Sequence, residues 1–436
     1  MTALCVLPFL LLVAFIERRA VNIPYSDEWD LVPLLRKQAL GTLRLSDVWA
    51  QHNEHRDFFP QLILLKLARL THWDLRWELV VNVVLAVAML AVLLLLVRRV
   101  LRPLGVGPCA VGAVAAAWLF FSPMQWENWL SGWQVGWFLA YGAAVGAIAL
   151  LALWPAGRPA GIPVVGAIVL GVIASYSLAS GLFVWPAALC VFVVQPRYRR
   201  WLWAWVGAGL VTAALYLRGY HSPAGAPPLT AGLHHPGNFV LYLLAYFGTP
   251  LWGRRAGAVL VGLGVVVGFA VALRYLVRGD RQALRDAAAW VGLAVFALLA
   301  ALETAVGRVG FGATQATTSR YTTAALLFIV VTVVFGILAF HTWASREHSP
   351  AASGGRVGAV LVMIVVAAIL RSYSSGISGS RVYRSYELAG RACMATATPT
   401  DHACLAILVR PPDYVYQQLT YLRAARLDGQ HPIPGG

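Results

Sequence analysis

Charge is what this sequence has least of. Only 12% of its 436 residues are Asp, Glu, Lys or Arg, with 18 acids against 34 bases. Soluble domains carry roughly a quarter charged residues, so a water-soluble globular chain is excluded. Nucleotide-binding signatures are missing too. There is no Walker motif and no dinucleotide fingerprint. The one suggestive run, "GLGVVVG" (262–268), lies inside an apolar stretch where glycines serve helix packing. No repeat of fixed period occurs, and no loop between apolar stretches on the arginine-rich side is large enough to form a nucleotide-binding domain, which argues against ATP bound by this chain as an energy source. Cysteine is scarce, with five in all. Cys5, Cys109 and Cys190 lie in or beside apolar stretches and read as packing residues. Cys393 and Cys404 lie in a polar tail and become a disulfide if that tail faces an oxidising compartment. The net charge of +16 does not point to nucleic acid. The arginines are dispersed in loops between apolar stretches, where membrane topology and anionic headgroups account for them.

What the chain has in abundance is apolar length. Mean hydropathy is +0.70, and a bilayer core about 30 Å thick needs roughly 20 apolar residues per helix. The expectation is an all-α polytopic membrane protein with about eleven transmembrane helices, near 2–16, 78–97, 107–122, 134–154, 160–176, 181–195, 201–218, 256–277, 287–304, 322–343 and 357–372. The first lacks a basic n-region and a clear cleavage site, so it reads as a retained helix. The window 238–252 ("NFVLYLLAYFGTPLW") is short and ends in Gly248 and Pro250. If it does not cross, the arginine clusters "RRVLRP", "PAGRPA", "PRYRR", "RYLVRGDRQALR" and "ASREHSPAASGGR" fall almost wholly on the inner side. The window therefore reads as re-entrant or interfacial, with the N-terminus cytoplasmic and the C-terminus periplasmic. Two parts follow: a transmembrane module, 1–372, with a large outer loop at 17–77, and a short outer-facing tail, 373–436.

The scarce acids then collect in outer loops. "YSDEWD" places Asp27, Glu28 and Asp30 within four positions, and "QHNEHRDFFPQL" follows with His52, Glu54, His55 and Arg56. Clustered carboxylates raise one another's pKa, and one can be poised as a general base. A helix N-cap at Ser26 or Asp27 explains one acid but not three. If that second stretch is helical, His52 and His55 share a face. Metal binding by His52, Glu54 and His55 stays open, although the spacing matches no compact zinc signature. In "SPMQWENWLSGWQVGW", an interfacial aromatic belt explains most of the tryptophans but not Glu127 among them, and an aromatic face such as Trp129 also stacks on sugar rings. "SYSLASGLFVWP" (175–186) reads as a tight link between antiparallel helices. "ETAVGRVGFGATQATTSRYTT" offers Arg308, Arg320 and Tyr321 at membrane depth, with arginine forks suited to phosphate.

An acidic pair just after the first span, about eleven spans, and basic residues in a late outer loop together resemble the GT-C superfamily of membrane glycosyltransferases. "NEHRDFFPQL", "QWENWLSGWQ" and "TSRYTT" look like segments of uncharacterised bacterial proteins of that type. The resemblance implies transfer of a hexose or pentose from a polyprenyl-phosphate carrier to a glycan, lipid or protein acceptor on the outer side of the bacterial inner membrane. It places Asp27 as the base with Glu28 beside it, and the carrier's phosphate near Arg320, with no nucleotide in the site and a divalent cation as an open question. The competing expectation is a transporter or flippase of a lipid-linked sugar or other anion, which would place charges along a path within the spans and show inverted repeats. A polymerase or ligase of surface glycans is a third, and would rest on arginines in large outer loops.

Overall fold

Inside a bilayer a backbone must satisfy its own hydrogen bonds, and an apolar chain does so as helix. The structure, a computed structural model, describes residues 2–223, 225–279, 281–346 and 351–427. Part of the expected loop 344–356 (347–350), Asp280 of the loop 274–285 and the tail residues 428–436 lie outside that description. Among the described residues there are helices and no β-strand, only an isolated bridge between His52 and His55. Each expected apolar stretch is helical, from Thr2–Arg19 and Arg76–Leu101 to Ala288–Arg308 and Thr322–Arg346. Seven helical stretches among the described residues are long and apolar enough to cross a membrane, and Gly161–Ser175 and Ala179–Val194 are shorter apolar ones.

The ambiguous window forms the helix Pro236–Gly248. At about 1.5 Å per residue it is roughly 20 Å long, too short to span alone. Both of its ends meet the same loop. Gly310 packs against Pro227 and Ala231 just before the helix, and Thr249 Oγ1 donates to Ala316 O just after it. The Pro236–Gly248 helix docks on the helix Arg255–Gly279 through two glycines: a Cβ on Gly248 would sit 1.8 Å from Ala258 O, and one on Gly262 1.8 Å from Leu244 O. Small residues let helix backbones approach this closely.

The last apolar stretch does not stop where its hydrophobicity does. The helix runs on from Ala351 to Thr396, 46 residues, about 69 Å at the α-helical rise. Its far end joins the first loop in a second hydrophobic core, separate from the bundle's. There Ile23, Trp29, Val32 and Leu65 pack with Met394, Leu405, Leu408, Val415 and Leu419. Cys393 and Cys404 are bonded, with Cα atoms 5.7 Å apart, and fold the chain back at the helix end.

Loops far apart in sequence gather at one end of the bundle. Arg56 reaches Tyr216 O and Arg218 O, Gln51 pairs with His221, Phe59 N donates to Tyr176 O, and Arg410 meets Asp27. The arginine-bearing links 155–160 and 196–200 meet at the opposite end, where Arg197 donates to Pro155 O and Trp154 O.

Candidate functional site

Where the loops converge they enclose a cavity of about 450 Å³. Its acidic wall is built by the first loop. Residues 26–31 form a single 3-10 stretch, in which successive side chains point about 120° apart. Asp27 therefore faces the cavity and Glu28 does not. Glu28 is buried and accepts hydrogen bonds from Tyr25 N (2.9 Å), Ser131 Oγ (3.0 Å) and Gly132 N (2.8 Å). Burial pushes its carboxyl up to about 6, against the pull of those donors. The side chain that caps this stretch is thus that of Glu28, on Tyr25 N, not that of Ser26 or Asp27. Gly132 has no room for a side chain, since a Cβ would lie 1.9 Å from Glu78 Oε2. That close approach lets the 131–133 turn seat Glu28 and so fix the direction of Asp27.

The stretch 51–57 is a tight turn rather than a helix. His52 and His55 exchange backbone hydrogen bonds of 2.9 Å, with Asn53 at φ 50° between them. Their side chains consequently part. His52 Nε2 lies 2.8 Å from Asp30 Oδ2 and its Nδ1 3.5 Å from Asp57 Oδ2. Burial opposes a charge on this ring, but the hydrogen bond to Asp30 and the nearby Asp57 carboxylate raise its pKa to about 10, so it is an imidazolium at neutral pH. His55 Nδ1 accepts from Ala179 N at 3.2 Å, and burial lowers its pKa, so it is neutral. Glu54 is held by Arg308 Nη2 at 2.7 Å. The expected grouping of His52, Glu54 and His55 around a metal is therefore not formed. The ligand atoms that do converge, within 4.8 Å, belong to Asp27, Asp30 and His52.

The basic wall comes from the late loop. Arg308, at the end of the helix Ala288–Arg308, and Arg320, just before Thr322–Arg346, both line the cavity with Tyr321. Arg320 Nη1 is 3.4 Å from Glu127 Oε1. Glu127 thus orients an arginine from behind and does not line the cavity. Trp129 is fully buried, stacked on Phe138 at 4.8 Å, with Nε1 donating to Ser122 O. The tryptophans that face the cavity are Trp133 and Trp137. Arg56 is also structural, its fork turned to Tyr216 O, Trp49 O and Arg218 O.

Sequence reasoning missed Arg410, Tyr414 and Asp57. Arg410 Nη2 donates to Asp27 Oδ1 (2.6 Å) and Asp30 Oδ2 (2.5 Å), and Tyr414 OH to Asp30 Oδ1 (3.1 Å). Burial would raise Asp30, but the His52 hydrogen bond and the Arg410 charge hold it below the usual range. Nothing in the sequence links position 410 to position 27. Glu303 had a signal, as a carboxylate within an apolar stretch.

No protein-family model matches the chain, and no curated protein matches it by sequence. Its fold is found among solved structures. ArnT from Cupriavidus metallidurans bound to undecaprenyl phosphate superposes with a TM-score of 0.52 at 12% identity, over 97% of this chain and 88% of that one. The apo state of the same protein gives 0.52 at 13%, over 97% and 89%. An Archaeoglobus fulgidus oligosaccharyltransferase in complex with Zn and sulfate gives 0.47 at 14%, over 94% and 57%. The chain thus shares the overall fold of ArnT.

Proposed function

We propose that this chain is a glycosyltransferase that moves a sugar from a polyprenyl-phosphate carrier to an acceptor hydroxyl at the periplasmic face of the bacterial inner membrane. The observation that carries the reading is that Asp27 and the arginines 308 and 320 line one cavity. A base and an anion binder share a pocket at one end of an apolar bundle. That is where a lipid tail would hold a phosphate at headgroup level. A disulfide in the tail beside the pocket suits an oxidising compartment. The fold's neighbour ArnT was solved with undecaprenyl phosphate, a ligand of the proposed class.

The chemistry divides among the chain's own residues. Asp27 Oδ1 accepts from Arg410, and Oδ2 has no hydrogen bond among the described residues, so it is free to take the acceptor's proton. Asp30 is occupied by His52, Arg410 and Tyr414 and is the less available base. The acceptor oxygen bonds to the anomeric carbon as the carbon–oxygen bond to phosphate breaks. The electron pair leaves with the polyprenyl phosphate, and the proton rests on Asp27. Arg308 and Arg320 meet the charge that grows on the leaving phosphate. Both are already oriented by Glu54 and Glu127, so less rotamer freedom is lost on binding. Attack and departure on opposite sides invert the anomeric centre in one step. A transporter is less favoured, because the cavity-lining charges gather at one end of the bundle instead of along its length.

Binding of the product tests the reading. Undecaprenyl phosphate titrated into the protein in nanodiscs should change the fluorescence of Trp133 and Trp137 saturably. Replacing both Arg308 and Arg320 by Ala should weaken that binding at least tenfold, from about 1.5–3 kcal/mol per charged hydrogen bond. No saturable response in the wild-type protein would refute the proposal.

A further inference from the structure

The three convergent ligand atoms of Asp27, Asp30 and His52 have the spacing of a divalent-cation site. A cation of another kind already stands among them. One guanidinium nitrogen of Arg410 bridges Asp27 Oδ1 and Asp30 Oδ2, at 2.6 and 2.5 Å. A metal ion bridging the same two oxygens would occupy much the same place. His52 Nε2, the third donor, lies against Asp30 Oδ2 instead of facing open space. The donor set therefore does not fit a metal while Arg410 is seated.

The chain holds Arg410 there by several means. Leu405 and Leu408, just before it, are fully buried in the second core. Val409 turns at φ 62°, a left-handed conformation that a β-branched residue adopts only under strain. Pro411 and Pro412 follow and stiffen the exit. The Cys393–Cys404 bond anchors the same segment to the end of the long helix. Strain adjacent to a residue that enters the cavity is the pattern of a position fixed by its task.

We propose that Arg410 is a built-in cation, a positioning residue that holds Asp27 and Asp30 where a divalent metal would otherwise hold them, so that this chain works without one. The inference rests on the proposed function only for what the held carboxylates do. Its first test needs no sugar donor. Mn²⁺ is added to the purified full-length protein in detergent, and free Mn²⁺ is read by electron paramagnetic resonance. Wild type should leave the signal free, and Arg410→Ala should take up one equivalent. That uptake should disappear when Asp30→Asn is added. Arg410→Gln, which keeps size and a donor without the charge, is measured beside it and should take up the same equivalent, so the test holds even if Arg410→Ala folds poorly. Mn²⁺ bound by wild type and lost in Asp30→Asn would overturn the proposal, as would no uptake by either Arg410 variant. The second test reads turnover of a polyprenyl-phosphate sugar. EDTA should leave the wild-type rate unchanged, and Mn²⁺ should restore part of the Arg410→Ala rate while adding nothing to wild type. A chelator-sensitive wild type would overturn the inference and leave the transferase reading standing. Absence of turnover with every donor would count against the transferase reading alone, because the Mn²⁺ titration is independent of it.

Discussion

Asp27→Asn separates the proposed base from its neighbours. Asparagine keeps the shape and still presents an oxygen to Arg410 Nη2, now 2.6 Å from Asp27 Oδ1. What it loses is the free oxygen's capacity to take a proton. Removing a general base costs typically 10²–10⁴ in rate, about 2.7–5.4 kcal/mol at 1.36 kcal/mol per decade. The same change also weakens an ion pair, but its partners are 21% and 23% exposed. A solvent-accessible pair is worth about 0–1 kcal/mol, and Arg410 keeps Asp30. Turnover should therefore fall at least a hundredfold, while the melting temperature moves by only a few degrees. The assay is the initial rate of polyprenyl phosphate release in nanodiscs, with product binding measured on the same sample as a folding control. A folded Asp27→Asn protein that turns over within fivefold of wild type would refute the assignment, and Glu54 and Glu303, which line the same cavity, would be the next bases to test.

Other consequences follow from single contacts. Arg320→Ala should weaken donor use roughly ten- to a hundredfold, from about 1.5–3 kcal/mol per charged hydrogen bond, and Arg320→Lys should recover only part because the fork is lost; an unchanged donor dependence places the phosphate elsewhere. Mass spectrometry of protein purified without reductant should show Cys393 and Cys404 joined, and Cys404→Ser should lower the melting temperature, the closed loop being worth about 3 kcal/mol. His52 has a folded pKa of about 10, raised above the ordinary value of 6.5 by Asp30 and Asp57 against burial. Its stabilisation is complete below pH 6.5 and is lost as pH rises through 10, so melting temperature should decline over that window and His52→Gln should flatten the decline. A wild-type profile no steeper than that of His52→Gln would show that the ring is not charged. Glu28→Ala should cost folding rather than only turnover, because it strands Tyr25 N, Ser131 Oγ and Gly132 N; a fully folded, inactive Glu28→Ala would return Glu28 to the chemistry.

The helices were legible because each apolar stretch has one way to satisfy its backbone in lipid. That 238–252 stands apart from the full-length spans was legible from its length, and it forms only the short helix Pro236–Gly248. Asp27, Arg308 and Arg320 were legible because charge is so scarce that any charge in a loop between apolar stretches stands out. Direction was not. Asp27 and Glu28 are adjacent in sequence, yet a 3-10 turn sends one into the cavity and the other into a buried seam. The same holds for His52 and His55, which a helix would have aligned and a tight turn separates. Trp129 shares its composition with Trp133 and Trp137, and only packing reveals that it is core. Arg410 needed the fold itself, since a contact across more than 380 positions leaves no local pattern.

The most direct measurement is turnover with a panel of polyprenyl-phosphate sugars and purified protein in nanodiscs, reading polyprenyl phosphate release and the anomer of the product. The account predicts release with at least one donor, inversion at the anomeric carbon, and loss of both signals in Asp27→Asn. Release that survives unchanged in Asp27→Asn, or a product of retained configuration, would contradict it.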